Sequence, residues 1–146
     1  TFFIARKIGD KRPELKLNFN EPQISVEKAW SGLVNQSAPP LTEFTKRLWM
    51  KSKAGDSMAK QNNGNGFNNI KFPFKCPAPT VAVSGGNYHP IEPRNISDSE
   101  YLRIQTFPDD YQYGHIGARY VCGMSVPPFM MQRVSSEVAR QLFGKN

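Results

Sequence analysis

Twelve prolines and eleven glycines punctuate a chain of 146 residues, and that punctuation constrains the fold more than any other feature. Proline removes a backbone donor and blocks helix interiors, while glycine loses the most conformational freedom in any regular element. Helices and strands must therefore be short, with much of the chain in loops. Hydrophobic residues make up 38% and charged residues 21%, a balance that favours a globular chain over a disordered one. The core is expected to be modest, because irregular segments bury apolar surface less efficiently than helices and sheets.

The length suits one ordinary domain or one large piece of a bigger protein. A net charge of +7 and a pI near 9.6 make a polyanion the first partner to consider, although many basic proteins merely stay soluble that way. No apolar run approaches a membrane span, and a cytoplasmic protein without signal peptide or membrane anchor is expected. Cys76 and Cys122 are too few for a disulfide framework or a four-cysteine zinc site and read as free thiols. The chain opens "TFFIA", without Met and already in an apolar strand signal, which suggests a fragment, a processed product or half of a split protein.

After "TFFIARKIG", the alternation of Leu15, Leu17 and Phe19 predicts a half-buried strand. Val26, Ala29, Trp30, Leu33 and Val34 fall at helical spacing behind the cap Ser25. "LTEFTKRLWMK" predicts a second short helix with Phe44, Leu48 and Trp49 on one side. From Lys51 to Lys75 five lysines face one acid, Asp56, among five asparagines, Gln61 and three glycines. With almost no apolar period, that stretch reads as a long irregular loop. Thr80 to Val83 resembles a strand ending in a Gly-Gly turn. Ser97 and Glu100 form a capping box that predicts a helix over 98–106, stopped before Pro108. A last helix is predicted over 126–143, started by Ser125 and the two prolines, with Pro127, Met131, Val134, Val138 and Leu142 on one stripe.

The Lys/Asn stretch supports two readings. Lysine neutralises phosphate, and Asn or Gln makes paired hydrogen bonds to adenine; the same composition also describes a solvated surface loop. Arg103 follows Glu100 by three residues, so a local ion pair competes with a phosphate clamp. Asp109 and Asp110 are adjacent and suit a turn rather than acid/base chemistry. His89 and His115 have no ligand-spaced neighbours, so no metal site is expected. Cys76, near Lys71 and Lys75, lacks a partnering base, and Cys122 reads as a small packed residue. Composition and spacing alone give no active site, only a basic mixed α/β domain.

Two motifs say more. "PRNISDSEYLRIQTFPDDY" resembles motif IX of the DNA cytosine-5 methyltransferases of bacterial and phage type, usually written R-x-L-T-x-R-E-x-x-R-L-Q-x-F-P-D. The matching residues are Arg94, Ile96, Ser97, Glu100, Arg103, Ile104, Gln105, Phe107, Pro108 and Asp109. A dozen residues later "GMSVPP" resembles motif X, commonly G-N-S/A-V-P-P. "RLWMKSKAGDSMAK" and "KCPAPTVAVSGGNYHPIEPR" are similar to the target-recognition region, with Thr80 and Val81 at its recurrent Thr-Leu pair. Ser99 departs from a usual Arg and Met124 from a usual Asn. The resemblance spans nearly the whole chain.

The resemblance implies a fold and an activity. The fold is mixed α/β: a small loop-rich target-recognition domain, plus an N-terminal strand and C-terminal helix belonging to a Rossmann-like methyltransferase domain. Residues 1–24 would end the catalytic domain, 25–92 form the recognition region, 93–112 motif IX, and 113–146 motif X with the returning helix. The family flips a cytosine out of double-stranded DNA, attacks its ring with a Cys and transfers a methyl from S-adenosylmethionine. By this resemblance the Pro-Cys, Glu-Asn-Val and Phe-x-Gly-x-Gly motifs would lie upstream of this segment, and the expected partner is the N-terminal catalytic part, in the same chain or as a split subunit. This chain alone is expected to be inactive, and Cys76, in Lys-Cys-Pro, is no substitute nucleophile. The implied cofactor contacts are Gly123, Met124 and Ser125. Lys51, Lys53, Lys60 and Lys71 are expected on phosphate, with Ser57, Asn62, Asn63, Asn65, Thr80 and Val81 near base edges. Arg94, Glu100, Arg103 and Gln105 would support the recognition region. A restriction-modification setting fits; a non-enzymatic basic DNA-binding module or a decayed prophage remnant is the alternative.

Overall fold

The computed structural model describes residues 4–5, 7–34 and 36–144. They divide into two compact units, residues 22–128 and residues 1–21 with 129–146. Among the described residues the architecture is mixed: four short helices, one longer one and a small two-stranded sheet, with loops between. No helix among the described residues is long and apolar enough to cross a membrane.

The larger unit is organised by α1 (Val26–Ala29), α2 (Glu43–Lys51), a 3₁₀ turn (Met58–Gln61), β1 (Ile70–Lys71), β2 (Asn87–Tyr88), α3 (Asp98–Ile104) and α4 (Ala118–Met124). β1 and β2 pair in parallel, Ile70 opposite Asn87 and Lys71 opposite Tyr88. Single bridges extend this pair on both sides, Ser57 to Ile70 and Tyr88 to Asn95. The core gathers Val26, Trp30, Phe72, Val81, Ile96, Tyr101, Leu102, Ala118 and Cys122.

Several elements differ from the sequence expectation. Ser25 does cap α1, but the helix stops after one turn because Trp30 leaves helical geometry and Gly32 takes φ +81°. Its first amides are satisfied from outside the helix, Val26 N–H by the Cys76 carbonyl and Glu27 N–H by that of Phe74. Val34, expected on the apolar side, is 74% exposed. No strand forms over Thr80 to Val83; the strand lies four residues beyond, at Asn87–Tyr88, past a Gly85 at φ +89°. A side chain at Gly85 would place its Cβ 2.5 Å from the Asn68 carbonyl oxygen. The 51–75 stretch is not merely loop. It supplies the 3₁₀ turn, β1 and the buried Met58 and Phe72, since backbone pairing ordered by a few apolar anchors needs no helical or strand period.

The capping box is present as expected, and α3 closes at Gln105, ahead of Thr106 at φ +61°. α4 was not foreseen: "GARYVCGM" carries two glycines and no side-chain cap, yet burial of Ala118 and Cys122 against the core holds it in a helix. The final helix, α5, runs Pro128–Phe143. Ser125 does not start it. The Ser125 hydroxyl donates back to the Val121 carbonyl, which closes α4 instead.

In the smaller unit, α5 buries Val134 and Leu142, while Met131 of the expected stripe is 48% exposed. The strand expected at "TFFIA" falls on residues 1–3, outside the described residues, and Ile4 and Ala5 are not in a strand. Nor is Leu15–Phe19. Instead the Gln141 side chain treats Lys16 as a strand neighbour would, accepting from its N–H at 3.0 Å and donating to its carbonyl at 2.7 Å. Arg12 donates to the Leu142 carbonyl at 2.9 Å, satisfying one of the free acceptors at the α5 end.

Candidate nucleic-acid interface

A buried polar brace organises the larger unit. The α3 cap places Glu100 inward, where its carboxylate accepts from Arg94 Nη1 and Nη2, each at 2.8 Å, and from the Ser97 amide at 2.8 Å. Arg94 also donates to Glu92 at 2.6 Å and to its neighbour's carbonyl at Asn95. His89 lies on the other side of Glu100, its Nε2 3.7 Å from the carboxylate. The His89 ring stacks on Trp30 at 5.3 Å, and Trp30 donates to the Glu100 carbonyl at 3.0 Å. A polar cleft of about 470 Å³ opens beside this group, walled by Glu27, Gln36, Phe74 and Ile91 among others. The brace ties the α3 start to the β core, because the chain around Arg94 pairs with Pro40 and with His89.

The charges settle each other. Burial acts to raise the Glu100 carboxyl, but the hydrogen bonds from Arg94 and Ser97 hold it below the usual carboxylate range. Burial first, and the Arg94 charge second, push His89 below its ordinary value. His89 Nδ1 accepts from the Glu92 amide at 2.9 Å and the Ile91 amide at 3.3 Å, which suits a neutral ring protonated at Nε2. The unfolded chain takes up this proton first, so the stabilising effect is whole above about pH 6.5 and is lost as pH falls through the lowered value. The melting temperature should therefore drop on acidification from pH 7.5, and His89→Gln should flatten that drop. Identical pH profiles for both proteins would remove His89 from this account.

Arg103 does not pair with Glu100, whose carboxylate is already engaged. It forks onto Asp109 at 2.5 and 2.6 Å and donates to the Ser31 carbonyl at 2.8 Å. Asp109 thus anchors a loop rather than merely turning it, and Arg103 holds its carboxyl low. Gln105 sits at the α3 end.

The expected DNA-facing residues separate into two groups. Lys51, Lys53, Asn63, Asn65 and Thr80 are exposed. The rest are partnered within the chain or buried, Lys60 while still exposed. The Ser57 hydroxyl donates to the Phe67 carbonyl at 2.7 Å, Asn62 donates to the Asn65 carbonyl, and Val81 is buried. Lys60 pairs with Asp56 at 2.8 Å. Lys71 Nζ lies 3.7 Å over the Trp49 ring and donates to the Trp49 and Ser52 carbonyls at 3.3 and 3.2 Å. Burial pushes its pKa down.

Gly123 is explained by packing: a Cβ there would meet the Val83 amide nitrogen and Cγ2, each at 2.9 Å. Met124 and Ser125 lie on the surface. Burial pushes the Cys122 thiol up to about 11, while Cys76 is exposed. The sequence reading passed over Trp30, His89 and Glu92 as site residues. The short spacing from His89 to Arg94 hints at His89 and Glu92 alone, and the stacking and backbone pairing that add Trp30 are invisible at that level.

Comparison with known proteins shows the family. The model of the C-5 cytosine-specific DNA methylase family matches residues 6–140. The type II methyltransferase M.BbvI of Brevibacillus brevis is 47% identical over 60 residues, 36% of this chain and 16% of that protein. M.DdeI of Desulfomicrobium norvegicum is 32% identical over 100 residues, 60% of this chain and 24% of its own length. M.AquIB of Picosynechococcus sp. is 29% identical over 107 residues, 63% of this chain and 77% of that protein. The chain therefore spans only about a sixth to a quarter of M.BbvI and M.DdeI. No solved structure gives a significant match. With the family model covering nearly its whole length, the chain belongs to the C-5 cytosine-specific DNA methylases.

Proposed function

We propose that this chain is the target-recognition and C-terminal portion of a DNA (cytosine-5-)-methyltransferase, working with an N-terminal catalytic part. Residues 25–92 serve as the recognition region, 93–112 as motif IX, and 113–146 as motif X with a helix that returns to a Rossmann-like catalytic domain, to which residues 1–24 also belong. One observation carries the reading. The Arg94–Glu100 pair joins the start of α3 to the β core, which is the bracing that a recognition surface made of loops requires.

S-adenosylmethionine supplies an electrophilic methyl group in this chemistry. Met124 and Ser125 suit contact with it because both present free surface. With its hydrogen donated to Val121, the Ser125 hydroxyl offers acceptor lone pairs to a hydroxyl-bearing ligand. Gly123 serves by letting the turn approach Val83. Neither cysteine acts as nucleophile: Cys122 is buried with a raised pKa, and Cys76, though exposed, lies in the recognition region. Lys51 and Lys53 contact phosphate, while Asn63, Asn65 and Thr80 reach toward bases.

With labelled S-adenosylmethionine and duplex DNA, the chain alone should incorporate no methyl groups yet shift the duplex in a binding assay. Incorporation by the chain alone would overturn the division of labour. Failure to bind any duplex would overturn the recognition role.

A further inference from the structure

The outward face of α2 holds positive charge that the fold does not neutralise. Helix geometry puts Arg47 and Lys51 one turn apart on one side, with Met50 beside them, and all three are exposed. Lys53 follows just past the helix end and is exposed as well. Of the acids of the unit, Asp56 pairs with Lys60, Glu92 and Glu100 with Arg94, and Asp109 with Arg103; the one acid on α2 is Glu43, one turn before Arg47. Among the described residues, no ion pair engages Arg47, Lys51 or Lys53.

A row of cations at this place meets an obstacle. It runs toward the C-terminal end of α2, where free carbonyls carry roughly half a negative charge and repel an anion. The fold answers with Lys71. From β1 its ammonium reaches the Trp49 and Ser52 carbonyls, at the last turn of α2 and its cap, and rests on the Trp49 indole. Trp49 is itself pinned by donation to the His89 carbonyl at 2.8 Å. Lys71 is thus unavailable as a phosphate ligand but placed to cancel the helix-end charge.

We propose that Arg47, Lys51 and Lys53 form a row that follows the phosphate backbone of duplex DNA, and that Lys71 is the positioning residue that neutralises the α2 end behind it. This rests on the recognition role above and extends it by one ligand, Arg47, and by the reassignment of Lys71. Charge complementarity selects the occupant: three exposed cations in succession, outnumbering the single acid of α2, Glu43, one turn before them, match a polyphosphate chain.

The test is fluorescence anisotropy of the full chain on labelled duplexes of different sequence, from 50 to 200 mM salt. Arg47→Ala and Lys51→Ala should each lower the slope of log affinity against log salt by about 0.9, equally for every duplex. Lys28→Ala, on α1 and outside the row, should leave the slope alone. Lys71→Met should weaken binding about two- to fivefold at the wild-type slope, and Lys71→Arg should restore it. Wild-type slopes in Arg47→Ala and Lys51→Ala, with the parent chain binding normally, would overturn the row alone. A change of sequence preference in either would overturn the phosphate assignment. A slope lowered by one in Lys71→Met would make it a direct ligand and overturn its positioning role. No binding by the parent chain would overturn the recognition role and the row with it.

Discussion

Glu100→Ala should cost about 3–5 kcal/mol of stability, because it strands a buried guanidinium rather than deleting a weak contact. The Glu100 side chain is 3% exposed and accepts three hydrogen bonds at 2.8 Å. Without it, Arg94, 13% exposed, keeps only the exposed Glu92 as a charged partner. The Ser97 amide also loses its acceptor at the α3 N-terminus, which adds the cost of an unsatisfied buried donor. An apolar replacement of the whole pair behaves differently, since removing both charges also removes their desolvation cost. Arg94→Met with Glu100→Leu should therefore be markedly less damaging than Glu100→Ala. Urea unfolding at pH 7, followed through the fluorescence of Trp30 and Trp49, measures all three proteins. If Glu100→Ala lost less than about 1 kcal/mol, as an exposed pair would, the brace would have no structural weight.

Phe72→Ala should be comparably severe, at about 3–5 kcal/mol. Phe72 is fully buried, at 0% exposure, and belongs to the main cluster with Val26, Trp30 and Val81. Its amide donates to the Tyr88 carbonyl at 3.0 Å, so the side chain is set directly at the end of β1. The cavity left by truncation would lie between the β pair and α1. Phe72→Leu should recover much of the loss, because it refills most of the volume. Phe67→Ala, five residues earlier and 77% exposed, should change stability by less than about 0.5 kcal/mol. The same unfolding experiment separates them. Equal effects for Phe67→Ala and Phe72→Ala would refute the assignment of the 51–75 stretch to the core.

These two residues show where the sequence could and could not be read. Glu100 was legible because a capping box is local: the Ser97 hydroxyl and the third-position Glu need only a helix start between them. Motif order made Arg94 a support residue too, but its partner was open, and the short spacing from Glu100 to Arg103 suggested the wrong pair. Arg94 wins because backbone pairing with the β core carries it onto the carboxylate, whereas Arg103 projects from α3 toward Asp109. Phe72 and Met58 were hidden in a lysine- and asparagine-rich run with no periodicity. Two-residue strands and a single 3₁₀ turn are too short to show any.

The helices divide in the same way. α2, α3 and α5 were expected near their observed bounds, since caps, breakers and apolar spacing all act within one or two turns. α4 was missed because no local signal supports it, only burial against the core. Ser125 was placed at the correct corner with the wrong allegiance, as a serine between two helices can bond backward as well as forward.

The sequence by itself determined the family, the basic character, the short elements and the position of the α3 cap. All of these rest on residue order or on interactions between near neighbours. Only the tertiary structure decided which lysines remain free, which carboxylate holds Arg94, and that Lys71 faces inward to the end of α2. Those choices depend on groups far apart in sequence meeting in one place, and on burial, which sets whether a charge faces water or another charge.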